Sequence, residues 1–159
     1  MDERILQFDQ WLEGLDSKQP AGWNLLPDIG LYMDQVQTFI DRQLGLYRRD
    51  EQDRLLTPAM INNYIKDNLI PRAESKKYTP THLALLILIG TLKQVLSIPN
   101  LAILLSAYRE SADTEQLYSH YLTIQQASLA DTIEQVSAKT RLLQSADENQ
   151  PEAIDDALR

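Results

Sequence analysis

Residues 57–79 read TPAMINNYIKDNLIPRAESKKYT. Asn62 and Asn63 place two side-chain amides side by side, and Lys66 follows within a turn. A carboxamide donates and accepts at once, which is the pattern an adenine edge presents in a major groove. A lysine there meets phosphate or guanine. Arg72, Lys76 and Lys77 add three cations suited to phosphate oxygens. Tyr78 supplies a hydroxyl for the same purpose, or a ring to pack beneath the cations. Thr57 stands at the head of the run. Thr57, Asn62, Asn63, Lys66, Arg72, Lys76, Lys77 and Tyr78 are therefore the candidate contacts to double-stranded DNA. The chemistry they offer is recognition, not bond-making.

Groups that would make or break bonds do not converge. The chain has two histidines, His82 and His120, and no cysteine. There is no HExxH pair, Gly-rich phosphate loop or GxSxG elbow. Asp34 and Asp41 stand seven residues apart with no third group at ligand spacing. No enzyme, cofactor or metal site is expected. His82 is expected on the surface of the helix that it follows into.

Charge is unevenly spread. The formal net charge is −8, which as a whole disfavours nucleic acid. Residues 57–79, however, carry four basic and two acidic groups. The stretch before them carries six and eleven, and the stretch after them five and ten. One basic window lies between two acidic flanks.

The elements that must hold this window are read from periodicity and punctuation. The 159 residues suffice for a domain with a real core, and five glycines against abundant Leu, Gln and Glu favour helix. Ile5, Leu6, Phe8, Leu12 and Leu15 predict an amphipathic helix over 3–15. Trp23, Leu25, Leu26 and Ile29, in the loop that follows, are expected to cover the core. Met33, Val36, Phe39, Ile40 and Leu44 predict a helix over 31–46. Thr57-Pro58 and Thr79-Pro80 each open a helix. Threonine caps free amides, and proline takes the first helical position, where its missing N–H costs nothing. The helix from 57 to 67 turns Met60, Ile61, Tyr64 and Ile65 inward, with Tyr64 in the core. The helix from 79 to about 96 is apolar nearly all round and is expected at the centre. A helix over 99–109 is expected to bury Leu101, Ile103, Leu104, Leu105 and Tyr108. Residues 114–145 contain neither Gly nor Pro, so a long helix follows. Its Leu122, Gln126, Leu129, Ile133, Val136, Thr140 and Leu143 form a heptad seam with two polar members. The tail from 147 is acidic.

Helix, connector, helix, short basic segment, helix is the order of a winged helix-turn-helix, whose second helix enters the major groove. The stretch INNYIKDNLIPRAESKKYTPTHLALLILIGTLKQVLSI also resembles the head of MerR-type regulators. Tyr64, Leu69, Ile70, Pro71, Tyr78, Leu83 and Ile87 fall at matching places. LYMDQV, TPAMINNYIKDNLIP, KKYT and LKQVLSI are similar to an uncharacterised bacterial family, a domain of unknown function with a MerR-like winged helix-turn-helix head. The resemblance covers about 31–105. Asn68 stands where those regulators have glycine before Leu-Ile-Pro, and Asn can still adopt the left-handed conformation. The Asn62-Asn63 pair replaces their usual arginine.

The resemblance implies a mainly α fold: a MerR-like winged helix-turn-helix with at most a short β-hairpin wing, plus a long C-terminal helix. Residues 1–30 would pack on the core, 31–110 form the winged domain, 111–146 the long helix and 147–159 an acidic mobile tail. The function implied is a DNA-binding transcriptional regulator with recognition helix 57–67 and basic wing 69–79. The alternative is a protein-interaction module that kept the shape and lost DNA. A homodimer is expected through Leu122, Leu129, Ile133, Val136 and Leu143, the alternative for that seam being the first helix of the same chain. No basic-then-apolar leader is visible, and the longest apolar run is too short for a bilayer, so a cytoplasmic protein without membrane contact is expected. Any effector ligand is unknown from sequence.

Overall fold

The computed structural model describes residues 3–109 and 113–149. The acidic tail from 150 onward lies outside the described residues. The fold is mainly α-helical. In order come α1 (Glu3–Glu13), α2 (Met33–Gln43), α3 (Pro58–Lys66), α4 (Pro80–Leu92), α5 (Ile98–Arg109) and α6 (Thr114–Asn149). Short 3₁₀ turns occupy Asp16–Lys18, Trp23–Leu25 and Gly45–Tyr47. The chain divides into two compact units. One is Lys18–Ile124, and the other combines Met1–Ser17 with Gln125–Arg159.

In the larger unit, α4 is the centre. Every residue from His82 to Thr91 is buried, as its all-round apolar character requires. α2 lays Val36 and Ile40 on it, and the close approach is made at Gly90, beside Leu44. α3 contributes Ile61 and Tyr64, and α5 contributes Leu101 and Leu105. Tyr118 and Leu122, from the first turns of α6, complete this core. The Tyr118 hydroxyl donates to the Ala21 carbonyl at 2.7 Å, and the Ala21 N–H donates to Gln43 Oε1 at 2.7 Å. The loop before α2 is thereby tied to the helices. Burial, the larger cause, together with nearby Tyr121 pushes the Tyr118 phenol well above its ordinary range. Among the described residues β structure is limited to two isolated antiparallel bridges, Leu31 with Tyr78 and Glu74 with Lys77.

Several expected core positions are outside it. Leu25 and Ile29 are 75% and 78% exposed, and of the four apolar residues expected to cover the core only Leu26 is buried. Ile103 is 69% exposed and Leu104 is also on the surface. α5 buries a narrow stripe, because only one of its sides meets the core. α4 stops at Leu92, not near 96. Its end is tightened by i to i−3 bonds, Gln94 N–H to Thr91 O at 3.2 Å and Val95 N–H to Leu92 O at 3.0 Å, the usual 3₁₀ closure.

In the smaller unit, Leu12 of α1 and Leu15 in the turn after it are buried. From the distal part of α6, Thr140 is buried and returns its hydroxyl to the Val136 carbonyl at 3.0 Å. Phe8 and Trp11 are exposed and stack with centroids 5.7 Å apart.

Candidate nucleic-acid interface

α3 begins as its sequence demands. Thr57 Oγ1 accepts the Met60 N–H at 3.3 Å, and Pro58 is the first helical residue. Thr57 is half-buried and acts as a cap. Ile61 and Tyr64 face the core, while Asn62, Asn63 and Lys66 are exposed. The apolar stripe therefore sorts the helix into a packed side and a free amide-and-amine side. Met60, expected inside, is at the surface.

The helix ends in a Schellman motif. Asn68 has φ 56. Its N–H donates to Ile65 O at 3.2 Å, and the Leu69 N–H donates to Tyr64 O at 2.8 Å. These are the paired bonds that close orphan carbonyls around a left-handed residue. Leu69 and Ile70 then plunge into the core at 1% exposure each. That anchor fixes where the next segment starts.

The basic segment forms a minimal hairpin. Glu74 and Lys77 pair, with the Lys77 N–H donating to Glu74 O at 2.9 Å. Between them Ser75 (φ 49) and Lys76 (φ 62) are both left-handed. Positive φ at both central residues is the type I′ turn, which matches strand twist and normally takes Asn-Gly. Leu31 clamps the other side. It exchanges bonds with Tyr78 at 2.9 and 2.8 Å. The preceding Gly30 has φ +57, and Lys77 lies directly against it. Lys77 Nζ stands 5.9 Å from the centre of the Tyr32 ring.

Beneath the hairpin lies His82. It is 4% exposed, contrary to the expected surface position. The Thr79 N–H donates to His82 Nδ1 at 3.0 Å, and Thr79 Oγ1 is 2.8 Å from the same nitrogen. His82 thus fills the place that Glu or Gln takes in a capping box. With Nδ1 accepting, the neutral ring carries its proton on Nε2. Nε2 faces the carbonyls of Arg72 and Pro71 without ordinary hydrogen-bond geometry to either. Burial lowers the His82 pKa, and those carbonyls and the charge of Glu74 only partly offset it. The Tyr78 ring meets the imidazole edge-on at 5.3 Å. Tyr78 is itself buried, and burial raises its phenol pKa.

The eight sequence candidates therefore separate. Asn62, Asn63, Lys66, Arg72, Lys76 and Lys77 are exposed, Thr57 caps, and Tyr78 supports. Arg72, Lys76 and Tyr78 share a cleft with Pro58 and Ile65 of α3 and with Tyr32 and Met33 at the start of α2. Asn63 belongs to a different hollow, beside Asp67, Lys93 and Ser97. Sequence reading did not single out Lys93. Its ammonium donates to the Leu55 carbonyl and reaches Met60 Sδ at 3.9 Å. Burial lowers its pKa against the opposing charge of Asp53. The signal for it was a lone lysine directly after an all-apolar helix.

The heptad seam is divided as well. Leu122 belongs to the core of the larger unit. Leu129, Ile133 and Val136 are half-buried, and Leu143 is exposed. Leu129, Ile133, Val136 and Leu143 fall in the smaller unit, together with α1.

Among the described residues no group of three or more His, Cys, Asp or Glu is placed to hold a metal ion. No helix among them is long and apolar enough to cross a membrane. No curated protein and no solved structure matches the chain. One family model does match, over residues 21–121, which is most of the larger unit together with its hairpin and α3. The chain belongs to that family, the domain of unknown function DUF1836.

Proposed function

We propose that this protein is a DNA-binding transcriptional regulator of MerR-like type. α3 is its recognition helix, and the hairpin that follows is its wing. The observation that supports this reading most is the exposed Asn62, Asn63 and Lys66 on α3, followed through a rigid Schellman turn by Arg72, Lys76 and Lys77 on a hairpin. Among the described residues none of these cations is in an ion pair. On this reading the α3 amides read base edges and the hairpin cations hold phosphates. Two copies bind a palindromic site through distal α6.

The net charge of −8 favours a second reading, a protein-docking module of the same shape. Selection from a random duplex pool at two salt concentrations separates them. A regulator enriches a palindrome and loses affinity steeply with salt, as counterions are released. The triple variant Asn62→Ala, Asn63→Ala, Lys66→Ala should lose the motif. Equal, weak binding by both proteins would reject the regulator.

A further inference from the structure

The cleft between the hairpin, α3 and the start of α2 has a volume of about 760 Å³. Small-molecule sites fall in roughly the 300–1,000 Å³ range. Its floor is apolar, made by Met33, Ile65, Ala73 and the buried ring of Tyr78. Its rim carries Arg72 and Lys76. A thioether and aromatic rings favour a flat, polarisable guest. Two cations without acid partners among the described residues favour an anionic one.

A second observation concerns Lys76. It lies at a left-handed position that glycine would occupy without strain. Backbone strain of this kind persists where surrounding structure and use require it. Here it holds a lysine at the mouth of an apolar cleft. Asp34 also lines the cleft, so an anionic group is favoured beside Arg72 and Lys76 and disfavoured beside Asp34.

We infer that this cleft is a binding site for a small aromatic acid. The ring lies on Met33, Ile65, Ala73 and Tyr78, and the acid group lies at Arg72 and Lys76. The inference of its use rests on the proposed function. Arg72 and Lys76 are the cations that reading assigns to phosphates, so ligand and DNA compete for them. The cleft becomes the place where a metabolite of this class releases the protein from its operator.

The test begins without DNA. The probe is 8-anilinonaphthalene-1-sulfonate, with uncharged N-phenyl-1-naphthylamine as its counterpart, both read by fluorescence. One saturable site for the sulfonate is expected. The double variant Arg72→Gln, Lys76→Gly should weaken the sulfonate by about tenfold or more, the worth of a lost charge-assisted contact. It should leave the neutral probe unchanged. Ala73→Trp should fill the cleft and exclude both, with thermal melting confirming that each variant folds. Sulfonate binding that survives in all folded variants, or no saturable binding, overturns the site. The second arm adds 2-naphthoate to a protein–DNA titration. A rise in the apparent Kd for DNA supports competition, and an unchanged Kd with naphthoate bound overturns it. Probe binding with no DNA binding at all would support the site, reject the regulator reading and reject the competition with it.

Discussion

A methyl group placed on Gly90 would stand 2.3 Å from Cδ1 of Leu44. Leu44 is fully buried, so it can give way only by displacing packed neighbours. Replacing a helical glycine by alanine normally gains about 1 kcal/mol. Overpacking a tight core costs about 1–3 kcal/mol. The clash should outweigh the gain, so Gly90→Ala is expected to lower stability by up to about 2 kcal/mol in urea denaturation. In a Leu44→Ala background the same change should be neutral or favourable. A stabilised Gly90→Ala single variant would refute the close packing of α2 on α4.

Asn68 turns the chain out of α3 in a left-handed conformation. A Cβ-bearing residue without a side chain able to bond locally is disfavoured there by roughly 1–2 kcal/mol. Asn68→Ala should therefore cost about 1 kcal/mol, and Asn68→Gly should be neutral or slightly stabilising. Equal effects of the two in chemical denaturation would mean that the turn is not held as described.

The hairpin turn gives a sharper contrast. Replacing Ser75-Lys76 by Asn-Gly supplies the residues that a type I′ turn prefers. Thermal stability should rise by a degree or more, on the order expected for a few tenths of a kcal/mol. Affinity for DNA should fall, with about one unit lost from the salt slope for the lost phosphate contact. Unchanged DNA affinity would remove Lys76 from the interface.

His82 should make stability depend on pH. Its folded pKa is below the ordinary value of about 6.5 because the neutral ring is buried. The unfolded chain then binds the proton more readily, so stability rises with pH in this window. The contribution is complete above about pH 6.5 and is lost as pH falls through that value toward the lower folded pKa. Protonation would also convert Nδ1 from acceptor to donor and break its bond from the Thr79 N–H. His82→Gln keeps a capping-box residue at the third helical position without a titrating group. The urea midpoint of the native protein should drop between about pH 7.5 and about pH 5.5 by more than that of the variant. Parallel drops would show that His82 is not the source.

Legibility in the sequence followed the range of the interactions involved. Both Thr-Pro starts, the central place of α4 and the inward Tyr64 depend on near neighbours in the chain, and they were readable. So was the left-handed Asn68. The exposure of Ile103, Leu104, Leu25 and Ile29 was not, because it depends on which sides of α5 and of the loop meet other elements. His82 was misplaced because T-x-x-H is not the usual capping-box spelling, and because its cover comes from Tyr78 and the Pro71–Arg72 backbone. The cleft was hidden for a related reason. Tyr32 and Met33 reach the hairpin through one Leu31–Tyr78 bridge, too short a pairing to leave an alternating pattern.

The smaller unit joins α1 to the distal part of α6, with the whole of Lys18–Ile124 encoded between them. During synthesis α1 therefore emerges well before its companion. At about 5–20 residues per second, the interval is on the order of ten seconds. Eleven residues are too few to hold a helix alone in water. Through that interval α1 lacks the other part of the unit in which Leu12 and Leu15 are buried. The smaller unit can therefore close only after Lys18–Ile124 has been made, so its completion comes late in the folding of the chain.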